Sequence, residues 1–594
     1  MSNKLLLNPA PLPAHPTPSL TSAWRPQYHL AAPWGWMNDP CAPYYDEETG
    51  LYHVFYQWNP WGVEWGNMSW GHAWSKDLVR WENAKEPVLV PVKEGGGWDG
   101  EGVFTGCAIP RGGEEGVMTA AYTSVSALPI HYTLPYLRGC ETLSIATSRD
   151  SGRTWVRDEG NPILMGPPEG VDVTGWRDPF VSEWGSMDRA LGRGDGGGGF
   201  LYGIVCGGIR DVGPNLFAYS IPKGDVRDWT YLGTLMDDES LPVGEGLPDI
   251  GQNWEVCNFF ELEGECFIIA GAEGSTTPSP PPSRSSSVNG DAEGGMPERP
   301  VRRALWISGS LVWTPAGHKW RTKAMGFLDH GLLYAANSFP DSRQNRRILW
   351  GWAPEDDCHP KRRVNEGFAG CLAVPRELFV KEVEGVSGTI GIWIGSDGKT
   401  RTLGVRPVKE TEDLRCNAKL TKVRDVIVAT GDSTKVAEAR TRQWELDAKI
   451  VIGKGCGKVG VRICHTPDNA VGMDVVYDVE KGVLFVQRER STSSPEGIIT
   501  SPDIGQLTLS TAEDGAVEPL ELRILFDGSV MEVYANERFA LTTRVYHAER
   551  DVKAATAVSV FAEPAGMANG VHGDGEFEGS VKIGELNIWD GTGM

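Results

Sequence analysis

The sequence predicts an all-β protein of two domains, a β-propeller followed by a β-sandwich, and three observations carry that prediction. Tryptophan is unevenly spread: of 23 Trp residues only Trp444 and Trp589 follow residue 400, so the two parts of the chain are built differently. The first part repeats a strand, polar turn and Trp at a nearly fixed period. The last part alternates apolar and polar residues in short runs, as half-buried antiparallel sheet requires. Helical periodicity is nearly absent.

The repeated plan runs Ser75-Lys-Asp-Leu-Val-Arg-Trp81, Ser148-Arg-Asp-Ser-Gly-Arg-Thr-Trp155, Pro222-Lys-Gly-Asp-Val-Arg-Asp-Trp229 and Pro315-Ala-Gly-His-Lys-Trp320. Each copy follows a β-prone run (WGHAWS, LSIATS, LFAYS, ALWISGSLVW) and places its Trp where another strand opens. Successive Trp residues stand 74, 74 and 91 residues apart. The longest interval holds a Pro/Ser/Gly-rich stretch at about 274–300, read as a disordered surface insertion. Sheet modules at a fixed period are the mark of a propeller, and this period implies four-stranded blades with long loops. The propeller is expected over residues 1–390 and the sandwich over 405–594. In the latter, Trp444-Glu-Leu-Asp-Ala-Lys-Ile-Val, Val459-Gly-Val-Arg-Ile-Cys and Val483-Leu-Phe-Val are strands. Glu521-Leu-Arg-Ile-Leu-Phe, Asp527-Gly528 and Ser529-Val-Met-Glu-Val-Tyr form a hairpin.

Lys and Arg total 56 against 79 Asp and Glu, a net charge of −23, which argues against nucleic acid and anionic membranes as partners. No apolar run approaches the ~20 residues of a membrane helix. The N-terminal MSNKLLLNPAPLPAHPTP has no secretory apolar core, and the 11 Cys show neither a CxxC pair nor a disulfide framework. A cytoplasmic protein is the expectation. The 11 His lack HExxH or other ligand spacing, so no metal is expected. The glycine run at 196–199 lacks the Gly-Lys-Ser/Thr ending of a phosphate loop and reads as a loop.

Three acidic residues lie in aromatic, weakly charged surroundings: Asp39 in Trp34-Gly-Trp-Met-Asn-Asp-Pro40, Asp178 in Gly175-Trp-Arg-Asp-Pro-Phe180, and Glu255 in Asn253-Trp-Glu-Val-Cys-Asn-Phe-Phe260. They fall on different modules, and a propeller brings inner strands together at one axis. An Asp-Pro pair alone is most often a turn; three such motifs in one Trp-rich repeat point further. Paired carboxylates among rings that stack on sugar C–H faces suit glycoside hydrolysis, one ionised at the anomeric carbon and one protonated toward the leaving oxygen. On this reading Glu255, desolvated and close to Asp39, is expected to carry the raised pKa. Arg177 beside Asp178 is expected to hold it ionised. Glu261, Glu263 and Glu265 form an alternating run that reads as a solvated strand edge. Cys41 and Cys257 read as small packing residues.

These motifs resemble the signature blocks of glycoside hydrolase family 32, the invertases, inulinases and fructosyltransferases. Further blocks follow in order: His53-Val-Phe-Tyr-Gln57, Trp65-Gly-Asn-Met-Ser-Trp-Gly-His-Ala, Val103-Phe-Thr-Gly-Cys, Asp329-His-Gly-Leu-Leu-Tyr-Ala-Ala-Asn-Ser-Phe339, Gly367-Phe-Ala-Gly-Cys-Leu-Ala-Val-Pro-Arg-Glu377 and Leu525-Phe-Asp-Gly-Ser-Val-Met-Glu-Val-Tyr534. The resemblance implies five blades, no cofactor and a small sugar such as sucrose as substrate. It makes Asp39 the nucleophile, Glu255 the acid/base and Asp178 the transition-state stabiliser. Asn38, Gln57, Trp65, Phe104, Thr105 and Arg177 would line the fructose pocket. Asp39-Pro-Cys-Ala42 and Glu255-Val-Cys-Asn258 depart from the family's usual Asp-Pro-Asn-Gly and Glu-Cys-Pro-Asp, and Thr105 replaces a Ser. The Asp39-Pro-Cys-Ala42 variant, together with Tyr122-Thr-Ser-Val-Ser-Ala-Leu-Pro-Ile-His131 and Pro135-Tyr-Leu-Arg-Gly-Cys-Glu-Thr142, is most similar to the fungal β-fructofuranosidase/fructosyltransferase branch. The expected activity is retaining cleavage of β-fructofuranosides with substantial fructosyl transfer to sucrose. A purely hydrolytic invertase or inulinase, a non-catalytic sugar-binding propeller and an arabinan-type enzyme are the alternatives. Oligomeric state is left open, a homodimer included.

Overall fold

A computed structural model describes residues 24–593, apart from 93–96, 110–115, 195–197, 245, 277–298, 387–389, 512–516 and 567–578. Residues 277–298 of the insertion expected at 274–300, and part of the glycine run, thus lie outside the described residues. The described chain folds into seven sheets.

Five sheets come first, each opened by a long, nearly fully buried strand: Gly35–Asp46, Gly102–Ala108, Val173–Ser182, Asn253–Leu262 and Tyr334–Asp341. The first four sheets run outward as antiparallel meanders. The repeated turn lies between their third and fourth strands. After Trp81, Trp155 and Trp229 the fourth strands are only Glu82–Asn83, Val156–Arg157 and Thr230–Thr234, whereas Trp320 lies inside Gly317–Asp329. Two of these Trp rings fill space against a neighbouring sheet, while Trp229 packs on Tyr219 of its own. Trp155 meets Phe55 of the first sheet at 5.5 Å, and Trp81 of the first sheet meets Trp350 of the fifth at 5.2 Å.

The opening strands touch in order, first to second through fourth to fifth, and the fifth touches the first. Phe368–Ala369 then pairs in parallel with Gly35 and Trp36, binding a late segment to the first sheet. The fifth sheet runs past residue 390, the expected domain end, because Thr400–Pro407 pairs with Arg376–Glu382. Nothing there repeats the Trp turn that marks the other modules.

The last two sheets have six strands each and pack face to face on one apolar core. Trp444, Leu446, Ala448 and Ile450 face inward from one sheet, and Val459, Val461, Val475 and Tyr477 from the other. The expected hairpin is Leu520–Asp527 with Val530–Ala535, and Gly528 turns it at φ 65°. Asp527 does more than turn the chain. Its carboxylate accepts the backbone N–H groups of Gln27, Tyr28 and His29 at 2.8–2.9 Å, seating the N-terminal arm on the sandwich.

His29 is buried there between Asp527 (3.0 Å) and Glu532 (2.8 Å). Burial disfavours the imidazolium, but the hydrogen bonds and charges of both carboxylates win and raise its pKa to about 8. A folded-state pKa above the unfolded ~6.5 stabilises most below that value, and the contribution disappears as pH rises through about 8. The shift corresponds to about 2 kcal/mol. The wild-type melting temperature is expected to fall between pH 6.5 and 8.5 by more than that of His29→Gln; parallel curves would refute the link.

Candidate active site

All five opening strands break register at the same level. The irregularities fall between Met37 and Pro40, Val103 and Gly106, Arg177 and Phe180, Glu255 and Asn258, and Tyr334 and Asn337. A regular strand sends successive side chains to opposite faces; a bulge re-aims them. Each break carries one or two of the residues named by the motifs, or Tyr334. Asp178, Val256 and Ala335 sit there with φ of 60°, 48° and 50°, a conformation that costs a non-glycine residue about 1–3 kcal/mol. Neighbours hold it: the Val256 N–H donates to Asp178 Oδ2 at 3.1 Å, and the Asp178 N–H to Thr123 Oγ1 at 2.8 Å.

Asp39 is held by two donors, Thr105 Oγ1 to Oδ2 at 2.7 Å and Asn38 Nδ2 to Oδ1 at 3.1 Å. Glu255 accepts Arg177 Nε and Nη2 on Oε1 (3.0 and 2.7 Å) and the Tyr334 hydroxyl on Oε2 (2.7 Å). Arg177 also donates Nη1 to Glu141 at 2.9 Å and stands 3.6 Å from Glu273. The wall is aromatic: Trp36, Tyr334, Trp352 and Phe104 share one apolar cluster, and Trp65, 48% exposed, meets the Phe104 ring edge-on at 5.8 Å. Gln57 is buried behind Asp39, donating to Cys41 Sγ at 3.5 Å. Cys41 and Cys257 are fully buried, and desolvation pushes both thiols up, as packing residues would have it.

The charges correct one expectation. Burial and the Glu255 charge raise Asp39 to about 6, against the lowering by Thr105 and Asn38. Burial also acts on Glu255, but the Arg177 and Arg302 charges outweigh it and hold this carboxyl below its ordinary value. The raised group of the pair is Asp39, because the guanidinium fork lies on Glu255. Asp178 is raised as well: burial, then Cys206, outweigh Arg177, whose fork reaches Glu255 rather than its sequence neighbour. Glu273, buried beside Glu255, rises to about 7.

Asp39, Asp178 and Glu255, with Asn38, Gln57, Trp65, Phe104, Thr105 and Arg177, therefore lie at or around this one cluster. Glu261 and Glu265 are elsewhere, engaged by Ser186 and Lys323. Sequence reasoning missed Glu141, Glu273, Arg302 and Tyr334. Glu141 and Tyr334 stood inside motif blocks as unremarked letters; Glu273 and Arg302 flank the Pro/Ser-rich stretch and carried no signal.

Two family models match in sequence order, the glycosyl hydrolases family 32 N-terminal domain over residues 29–387 and the family 32 C-terminal domain over 410–590. A rice (Oryza sativa subsp. indica) β-fructofuranosidase, insoluble isoenzyme 2, is 27% identical over 457 residues, which are 74% of this chain and 64% of the rice protein. The Aspergillus kawachii β-fructofuranosidase complexed with glycerol superposes with a TM-score of 0.81 at 27% identity, covering 98% of this chain and 97% of that one. The Aspergillus japonicus fructosyltransferase does so with a TM-score of 0.81 at 26% identity, covering 98% of both. With both models matched across most of its length, this chain belongs to glycosyl hydrolase family 32.

Proposed function

We propose that this chain is a retaining β-fructofuranosidase that cleaves sucrose and related terminal β-fructofuranosides and passes part of its fructosyl groups to a second sucrose. The observation that carries it is the meeting of Asp39 and Glu255, from the first and fourth sheets, in one aromatic-walled site where the Glu255 charge acts on Asp39. The five N-terminal sheets are read as propeller blades around this site, which the ring order of their opening strands supports.

In the first step an Asp39 oxygen attacks the fructose anomeric carbon. The bond to the glucosyl oxygen breaks, and that oxygen takes the proton of Glu255. In the second step Glu255 takes a proton from water or a sugar hydroxyl, whose oxygen bonds to the anomeric carbon and displaces Asp39, giving free fructose from water or a fructosylated sugar from the hydroxyl, with the configuration retained. Asp178 and Arg177 hold furanose hydroxyls. The pair works with one shared proton. In the empty site it rests on Asp39, and turnover draws on the form with the proton on Glu255. A substrate hydroxyl that engages the Arg177 fork favours that form, because it loosens the hold on Glu255. Both forms carry the same charge, so the pH profile reports the pair. Accordingly, kcat/KM is expected to fall as pH rises through about 6, where the last shared proton is lost. A flat profile from pH 5 to 8 would contradict this pairing.

Transfer is supported by the likeness to the Aspergillus japonicus fructosyltransferase over 98% of both chains, and by the exposed Trp65 at the rim as a stacking surface for a second sugar. Water is abundant, so transfer wins only where an acceptor is held in place. In concentrated sucrose the enzyme is expected to release more free glucose than fructose, with trisaccharide making up the deficit. Equal release at every concentration removes transfer and leaves the glycosidase. Release of neither sugar leaves a binding protein.

A further inference from the structure

Glu141 opens the strand Glu141–Ser148 of the second sheet and is fully buried. Both its oxygens are engaged by one dipeptide: Oε2 accepts the Trp176 backbone N–H and Oε1 accepts Arg177 Nη1, each at 2.9 Å. The opposite edge of that guanidinium, Nε and Nη2, is the one that meets Glu255. A guanidinium is planar, so holding Nη1 on one side fixes where Nε and Nη2 point on the other. The placement depends on a glycine at 175, since a Cβ there would lie 2.5 Å from Nη1. No step of the mechanism above uses Glu141, yet burying a carboxylate is costly unless it is paired.

We propose that Glu141 is a positioning residue for Glu255, acting through Arg177, an inference that rests on the fructosidase reading above. It aims the fork, and its negative charge tempers the positive charge that the fork brings to the Asp39–Glu255 pair. Glu141 is faced by Arg177 and by Tyr136 and Cys140, whose ionisation burial and its own charge both oppose. The pair itself is faced by Arg177, Arg302, Glu273, Asp178, Tyr334 and His131. Removing one anion from this set leaves Arg177 less compensated, so the carboxyls it faces lose their proton at lower pH.

The test is a set of kcat/KM pH profiles on sucrose, per folded enzyme, for wild type, Glu141→Gln and Glu141→Asp. In Glu141→Gln the alkaline limb is expected to move down by about one pH unit, with kcat/KM at the optimum about 100-fold lower. Glu141→Asp restores the charge, and its limb is expected to return to the wild-type position even where the rate stays low. A purely structural role would lower the melting temperature and leave the limb in place, so an unmoved limb in Glu141→Gln overturns the proposal. Should that variant fail to fold, Gly175→Ala displaces Nη1 from Glu141 without changing a charge, and wild-type kcat/KM in it overturns the proposal equally. Wild-type enzyme inactive on every fructoside would sink the fructosidase reading instead, before any variant is compared.

Discussion

Asp39→Asn is expected to lose sucrose turnover by about 10⁴-fold or more while melting at a higher temperature than the wild type. Both effects come from one charge. A neutral amide cannot form the covalent link, so the two-step path closes. The fold survives, because the amide oxygen can accept from Asn38 and the amide nitrogen can donate to the Thr105 hydroxyl, the two contacts Asp39 already makes. Stability follows from the pKa. Asp39 stands at about 6 in the fold and ~3.9 in an unfolded chain, so at pH 7 the folded state carries a charge it disfavours. Removing that charge is expected to add about 1–3 kcal/mol at pH 7. The gain should vanish below pH 4, where both states are protonated. Melting curves of the two proteins at pH 4 and pH 7 check the sign; a destabilised variant at pH 7 would contradict the charge assignment, and retained turnover the nucleophile.

Glu255→Ala is expected to cost about 10³–10⁴-fold on sucrose and far less on a fructoside with an acidic leaving group, which needs no proton. Azide is expected to restore turnover on that activated substrate by taking the fructosyl group from Asp39 in a step that needs no base. The azide must enter from the face the leaving group left, so the product should be the β-fructosyl azide. An α-azide would mean inversion. Equal losses on both substrates would assign the proton to another acid, with Glu273, buried beside Arg177, the first to test.

The site was legible in the sequence to the extent that its residues travel in aromatic blocks. Asp39, Asp178 and Glu255 are marked by neighbouring Trp residues, and those rings are there because each sheet must fill the wedge beside the next. What the letters do not carry is direction. Arg177 precedes Asp178 in sequence, yet its fork serves Glu255, because a bulge turns successive side chains by an amount no local pattern records. That one misdirection produced the wrong order of carboxyl pKa values. The fifth sheet continues past residue 390 unannounced for a related reason. The fifth sheet is completed by Thr400–Pro407, a strand without the Trp turn that announces the others. Asp527 was recognisable as a turn residue, but its second role depends on an arm 500 residues away.

That arm sets a clock on biosynthesis. Gln27, Tyr28 and His29 are made 498–500 residues before Asp527, the residue whose carboxylate they dock on. At about 5–20 residues per second, a ribosome needs about 25–100 s to cover the distance. The parallel edge of Gly35 and Trp36 likewise waits for Phe368 and Ala369. Until its partner is made, the nascent chain presents first an open sheet edge at Gly35 and Trp36 and, for longer, an unseated segment at Gln27, Tyr28 and His29, the kind of surface that other strands and holdase chaperones bind. Completion of the N-terminal domain is therefore tied to translation of the C-terminal one, and a chain truncated before residue 527 should remain a chaperone client rather than a smaller enzyme.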